Sequence, residues 1–210
     1  MRNEFYGKVF RWLGIGLFIT FLVAYLVSMN ANLLSFVFSG YTYIILFVLE
    51  IGICIWLTAR IHKMSKEMAT ILYLGYTALT GVTLSSIFIV YEIDSIIWIF
   101  LASSLIFICF SFIGMKMNVD LRKLGVYLFI MLLGVVVLEI INIFVMNSTL
   151  NMIACIGGLG IFVAYIAYDI RKISYYEDSD NMAIIGAFEL YLDFINIFIR
   201  LLELFGNSRD

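Results

Sequence analysis

The chain has 210 residues, of which 64% are hydrophobic and 13% are charged, and its formal net charge at pH 7 is -2. A soluble domain is about half apolar and about one quarter charged, so this composition excludes an ordinary soluble fold. A mean hydropathy of +1.07 agrees with that exclusion. The sequence also lacks the basic cluster that nucleic-acid binding requires. We therefore expect an integral membrane protein that contacts lipid and binds no nucleic acid.

Seven apolar runs are long enough to cross a bilayer, whose hydrocarbon core of about 30 Å requires roughly 20 helical residues. They cover residues 12–29, 41–59, 69–91, 95–114, 124–146, 150–168 and 183–205. The runs are apolar on all faces, whereas strands of a membrane barrel alternate apolar and polar residues. The sequence contains no proline. We predict an all-α protein whose residues 1–210 form one membrane domain, a bundle of seven transmembrane helices.

Basic residues are concentrated at alternate ends of these runs. All but two of the 13 Lys and Arg residues precede the first run or lie in the second, fourth and sixth loops: Arg2, Lys8, Arg11, Arg60, Lys63, Lys66, Lys116, Arg122, Lys123, Arg171 and Lys172. Because basic loops stay in the cytoplasm, we predict a cytoplasmic N-terminus. If the seventh run crosses the membrane, as its length favours, the C-terminus lies outside. If it re-enters, the C-terminus returns to the cytoplasm.

Two aspartates lie where a membrane helix disfavours charge. Asp193 is about ten residues into the seventh run, or about 15 Å along a helix, and its side chain is too short to reach the membrane surface. Ionisable groups in such positions are candidate functional groups. Asp193 is therefore either a structural polar contact or a group that handles ions or protons. Asp169 closes the sixth run on the cytoplasmic side, where it is either a hydrated interfacial charge or a functional ionisable group.

The seventh run also carries a polar stripe. Four polar residues follow one another at spacings of four, three and four, which places them on one helix face: Glu189, Asp193, Asn196 and Arg200. We expect this face to line a hydrated ion path, unless the residues merely satisfy one another. Glu50 in the second run and Glu139 in the fifth are further candidates for that path.

Other unusual residues inside the runs indicate packing rather than chemistry. Cys54, Cys109 and Cys155 each lie in an apolar run, which is typical of small buried residues rather than of a disulfide or a metal site. Ala154 and Gly158 are four residues apart, a spacing that lets membrane helices approach closely. We predict that the sixth helix packs against other helices, and we expect no cofactor.

Several short patterns occur in order along the chain. They are the pair Leu49–Glu50, TALTGVTLSSI (77–87), IGMKMNVDL (113–121), INIF (141–144), AYIAYDIRKI (164–173) and LYLDFINIFIRLL (190–202). Together they resemble the patterns of the Bax inhibitor-1 family, also called the transmembrane Bax-inhibitor-motif proteins, and the resemblance covers nearly the whole chain. The similarity is greatest to bacterial YetJ-type members.

The resemblance implies a fold and a function. The fold is a seven-helix bundle with the seventh helix at its centre, in the cytoplasmic membrane of a bacterium. The function is a pH-sensitive calcium leak rather than an enzyme. Asp169 and Asp193 correspond to two aspartates that share a hydrogen bond and sense pH, and they are candidates for transient Ca²⁺ ligands. Arg60 corresponds to a basic residue that latches onto this pair.

The chemistry of the two carboxylates is consistent with that role. Two carboxylates a hydrogen bond apart cannot both be ionised cheaply, so the pair titrates as a unit. Carboxylate oxygens also suit Ca²⁺. Acid weakens the attraction between Arg60 and the pair, so we expect acid to loosen the gate, although protonation also removes charge that attracts a cation.

Three other functions are compatible with parts of the sequence. Tyr168–Asp169 resembles the YD pair of intramembrane aspartyl proteases, but Asp193 does not follow the GxG of those enzymes, and the proline of their third motif is missing. A non-conducting regulator of stress or cell death would act through protein partners. A proton-coupled cation exchanger would use the same carboxylates but would require a gradient of a counter-ion.

Overall fold

A computed structural model describes residues 2–60 and 64–209. Within these ranges the chain forms nine α-helices joined by short connections. They are α1 (Arg2–Ser28), α2 (Ala31–Phe38), α3 (Thr42–Arg60), α4 (Lys66–Thr83), α5 (Ile87–Val90), α6 (Ile93–Lys116), α7 (Leu121–Val145), α8 (Ser148–Ile173) and α9 (Asp180–Phe205). A single turn of 3-10 helix, Leu84–Ser86, joins α4 to α5.

Seven segments of the described chain are long and apolar enough to cross a membrane. They are Asn3–Ser28, Thr42–Arg60, Lys66–Val90, Ile93–Lys116, Leu121–Val145, Ser148–Ile173 and Asp180–Phe205. The third of them combines α4, the 3-10 turn and α5. These segments confirm the predicted all-α architecture with seven transmembrane helices. Two basic residues of the second loop, Lys63 and the neighbouring His62, lie outside the described residues.

Capping residues explain where several helices begin. The side chain of Asn30 accepts hydrogen bonds from the backbone N–H groups of Asn32 and Leu33 and starts α2. Asp120 and Asn147 cap α7 and α8 in the same way. A side-chain oxygen at this position satisfies N–H groups that have no partner within the helix. The short helix α2 was not predicted, because eight residues are too few to register as a membrane span.

Two helix boundaries differ from the prediction by five residues or more. The first helix begins at Arg2 rather than near residue 12, because Lys8 and Arg11 continue the helix although they interrupt the apolar run. The helix α8 continues to Ile173, beyond the predicted end at 168. Asp169 is therefore followed by a further turn of helix and does not close it.

The described chain divides into two compact units. The first contains residues 2–60, 64–93, 177–191 and 208–209, and the second contains residues 94–176 and 192–207. The helix α9 contributes its first part to one unit and the remainder to the other. It is the most buried of the candidate spans: 72% of its most apolar window is buried, against at most 39% in any other span. This burial agrees with the central position predicted for the seventh helix.

Aromatic and hydroxyl side chains hold the first unit together. The hydroxyl groups of Thr20 and Tyr191 are hydrogen-bonded at 2.6 Å, which ties α1 to α9. Tyr76 and Phe188 pack edge to face, with ring centres 5.0 Å apart. These contacts bury the first part of α9 among α1 and α4.

Contacts within the first unit show which other segments lie beside the chain just before and just after α9. Lys8 near the start of α1 forms ion pairs with Asp178 and Asp180, at 3.0 and 3.5 Å, where α9 begins. After α9, Ser208 forms a β-bridge with Tyr91. The backbone N–H of Arg209 donates to the carbonyl of Val90 at 2.8 Å. The segment after α9 thus meets the connection between the third and fourth spans.

Close approaches of helices organise the second unit. A Cβ atom on Gly114 of α6 would lie 2.5 Å from the carbonyl oxygen of Ala167 in α8. Phe194 of α9 packs edge to face against Phe100 and Phe107 of α6, with ring centres 5.4 and 5.9 Å apart. The helix α6 therefore contacts α8 at Ala167 and α9 at Phe194, close in sequence to Asp169 and Asp193.

Candidate functional site

Asp169 and Asp193 are both buried in the second unit. Their exposed fractions are 6% and 4%. Tyr165 lies one turn before Asp169 on α8 and interacts electrostatically with both carboxylates. The phenol group of Tyr165 is thus close enough to both predicted site residues to interact with their charges. The hydrogen bond between them stays a prediction.

The burial of Asp169 decides one alternative that the sequence left open. A hydrated interfacial charge would be largely exposed, whereas the described side chain is enclosed. Glycines make this possible, because a Cβ on Gly114 would meet the backbone at Ala167, and one on Gly125 would meet the hydroxyl group of Tyr168. Because neither position carries a side chain, α6 and α7 can approach α8 at the two residues before Asp169.

Lys172 is a site residue that the sequence analysis assigned only to membrane orientation. Its ammonium lies 3.8 Å from Asp169 Oδ1. It also lies 6.0 Å from the ring centre of Tyr168 and 5.9 Å from that of Tyr176. Lys172 is partly exposed, so the buried carboxylate has a positively charged neighbour that reaches the surface of the unit. The spacing of three residues on one helix was the signal that could have identified it.

Arg60, the candidate latch, belongs to the first unit. It is the last residue of α3, is exposed, and forms no ion pair within residues 2–60 and 64–209. Its side chain lines a groove of about 340 Å³ together with Trp56, Met64, Ser65 and Met68. The contact between Arg60 and the aspartate pair stays a prediction.

The polar stripe of α9 is satisfied in part by residues outside the stripe. Asn196 donates its amide to the carbonyl of Leu192 on the same helix, at 2.8 Å. Arg200 donates to Glu139 of α7 at 2.6 Å. Glu189 is half-buried in the first unit. One alternative held that the polar residues of the stripe merely satisfy one another. Asn196 and Arg200 do not, because each binds a group outside the stripe.

The other candidate carboxylate of the ion path, Glu50, lies in the first unit. It is half-buried on α3 and accepts a hydrogen bond of 3.1 Å from the hydroxyl of Thr83. Within the described residues, no group of three or more His, Cys, Asp or Glu side chains could hold a metal ion. Any cation site in this part of the chain would therefore combine one or two carboxylates with hydroxyl, amide or carbonyl oxygens.

The comparison with known proteins identifies the family. The sequence model of the family described as "Inhibitor of apoptosis-promoting Bax1" matches residues 2–210. The chain belongs to the Bax inhibitor-1 family. This confirms the resemblance inferred from the sequence patterns.

Relatives within the Bax inhibitor-1 family match over nearly their full length. Inner membrane protein YbhL of Escherichia coli (strain K12) is 35% identical, and the match covers 99% of this chain and 93% of the relative. An uncharacterized protein of Borreliella burgdorferi (strain B31) is 36% identical, over 100% of this chain and 94% of the relative. An uncharacterized membrane protein of Streptococcus pyogenes serotype M1 is 31% identical, over 98% and 93%. Together with the seven candidate spans, they establish an integral membrane protein of this family.

Proposed function

We propose that this Bax inhibitor-1 family member is a pH-sensitive calcium leak channel of the bacterial cytoplasmic membrane, without enzymatic activity. The observation that carries the proposal is the burial of Asp169 and Asp193 around a shared neighbour, Tyr165, within a membrane protein. Buried carboxylates in membrane helices are costly and are characteristic of ion and proton pathways.

The aspartates supply the pH dependence in this account. In a medium of low dielectric constant, two neighbouring carboxylates repel each other when both are ionised, so they gain and lose protons as a coupled pair. Deprotonation increases the attraction of the pair for Lys172, which lies 3.8 Å from Asp169, and for the candidate latch Arg60. Protonation weakens both attractions. The gate therefore loosens in acid.

The proposed ion path uses oxygen atoms along α9 and α3. Ca²⁺ binds carboxylate, carbonyl and amide oxygens. In this proposal Asp193 and Asn196 supply such oxygens in the second unit, and Glu189 of α9 and Glu50 of α3 supply them in the first unit. Glu139 is bound to Arg200, so its carboxylate serves the path only when this ion pair opens.

Three observations support a cytoplasmic N-terminus and an external C-terminus. The basic residues at the N-terminus and in the second, fourth and sixth loops favour the cytoplasmic side of the membrane. The ion pairs of Lys8 place the start of α9 beside the start of α1. The bridge between Tyr91 and Ser208 places the segment after α9 beside the connection between the third and fourth spans. A crossing seventh helix satisfies all three.

The direct test is Ca²⁺ flux into sealed liposomes that contain the purified full-length protein, between about pH 6 and about pH 8, where coupled carboxylates change charge. Wild-type flux should rise as the pH falls, and Asp193→Asn should remove that dependence. Glu92→Gln, which neutralises an exposed carboxylate, is the matched control and should behave like the wild type. Flux no greater than that of empty liposomes would favour a non-conducting regulator. Flux that requires an opposing proton gradient would favour an exchanger.

A further inference from the structure

Arg200 is fixed to two neighbouring helices at once. Its side chain is 11% exposed, and its Nη2 donates to Glu139 Oε1 of α7 at 2.6 Å. Its Nη1 donates to the carbonyl of Ala154 in α8 at 3.3 Å. The guanidinium also lies 5.6 Å from the ring centre of Phe162 on α8. One side chain therefore joins the C-terminal half of α9 to both α7 and α8.

Gly158 provides the space that Arg200 occupies. A Cβ atom at Gly158 would overlap the guanidinium group of Arg200. Gly160, two residues further along the same helix, has no heavy atom within 4 Å of the corresponding position. Gly158 was predicted to let helices approach closely, and the structure shows that what it admits is a charged side chain.

The ion pair lies at the boundary between the interior of the second unit and its surface. The side chain of Glu139 is 41% exposed, whereas that of Arg200 is mostly buried. Cys155 is 2% exposed and donates its thiol to the backbone carbonyl of Arg200 at 3.4 Å. A buried thiol therefore lies next to the residue that forms the ion pair.

The position of Arg200 on α9 places it in line with Asp193. The two residues are seven positions apart, which is about two turns, or about 10 Å along one helix face. Access to Asp193 along this face from the C-terminal end of α9 therefore passes Arg200.

We propose that Arg200, Glu139 and Gly158 form a clasp that closes the C-terminal half of α9 against α7 and α8, and that opening this clasp admits water to the interior of the second unit. A guanidinium stays protonated in proteins, so the clasp depends on the counter-charge of Glu139. Loss of that charge leaves a buried cation uncompensated, and the side chain then moves towards water. The clasp does not depend on which ion the protein conducts.

Reaction of Cys155 with a charged, water-soluble thiol reagent tests the clasp directly. The full-length protein is placed in liposomes with Cys54→Ser and Cys109→Ser, so that Cys155 is the remaining thiol. Glu139→Gln removes the counter-charge, and Gly158→Ala removes the space for the guanidinium. Each should raise the labelling rate of Cys155 about tenfold or more, as expected when local opening becomes more frequent.

Two matched controls leave the clasp intact. Glu92→Gln neutralises an exposed carboxylate in the connection before α6, and Gly160→Ala adds a methyl group to α8 where there is space. Both should label at the parent rate. Labelling at the parent rate in both Glu139→Gln and Gly158→Ala would overturn the proposal. An acceleration in Gly160→Ala as large as that in Gly158→Ala would also overturn it. If Glu139→Gln fails to fold, the comparison between the two glycines decides. Because the readout is thiol reactivity, an absence of calcium flux leaves this test intact.

Discussion

The ammonium group of Lys172 lies 3.8 Å from the carboxylate of Asp169, one turn further along α8. Asp169 is buried, whereas about a third of the Lys172 side chain is exposed. This relationship gives the buried Asp169 a positively charged and partly exposed neighbour. In the proposed pH response, Lys172 acts together with the two aspartates.

Replacing Lys172 by Gln should change the pH at which the leak responds. The positive charge favours the ionised form of the pair, so its removal makes protonation easier and moves the midpoint of the flux curve to higher pH. We expect a shift of about half a pH unit or less, because a partly exposed charge is screened by water. Calcium flux as a function of pH measures the shift. Arg171→Gln, which removes a neighbouring charge that lies over Tyr175, should leave the midpoint in place. An unchanged midpoint in Lys172→Gln would exclude Lys172 from the pH response.

Replacing Gly114 by Ala should destabilise the second unit. The added methyl group would lie 2.5 Å from the carbonyl oxygen of Ala167, and forced overpacking costs about 1 to 3 kcal/mol. Thermal unfolding in detergent should show a lower melting temperature. Gly134→Ala on α7 has open space at the same position and should leave the melting temperature unchanged or slightly higher, because Ala favours helix. Equal melting temperatures of the two variants would contradict the close approach of α6 and α8.

Replacing Arg60 by Gln tests the latch. If Arg60 holds the ionised pair and keeps the gate closed, its loss should increase flux at the alkaline end of the pH range and leave flux at the acid end nearly unchanged. The matched control is Arg122→Gln, which removes an exposed basic residue from the fourth loop. Flux identical to the wild type at every pH would remove Arg60 from the mechanism.

Reporter fusions at the C-terminus test the proposed orientation. A crossing α9 places the segment beyond Ser208 outside the cell, so a phosphatase fused there should be active and a fluorescent protein that folds only in the cytoplasm should be dark. Fusions at the second loop, after Arg60, should give the opposite pair of results. A fluorescent fusion after Ser208 would show that the C-terminus returns to the cytoplasm.

The sequence predicted the membrane helices well because length and hydropathy are local properties. The seven runs correspond to the seven candidate spans. Helix ends were predicted less well, because they depend on individual caps such as Asn30 and on charged residues such as Lys8 that continue a helix. The short helix α2 carries no signal of membrane-spanning length.

The site was predicted only in part, because burial depends on contacts between residues far apart in the chain. Asp193 was recognised as costly from its depth in an apolar run. The burial of Asp169 could not be predicted from its sequence neighbours, since α6 and α7 approach α8 beside it at Gly114 and Gly125, which are far away in the chain. Nor could the sequence show that Arg200 binds Glu139, which lies 61 positions away.

The central claim is that Asp169 and Asp193 sense pH as one coupled unit. The most direct measurement is the pH dependence of calcium flux in liposomes for the wild type, Asp169→Asn, Asp193→Asn and the double variant. Residues that act as a unit show strongly non-additive effects. The account predicts that either single variant removes the pH dependence and that the double variant adds nothing further. A pH dependence that survives in both single variants, or that each variant reduces independently, would contradict it.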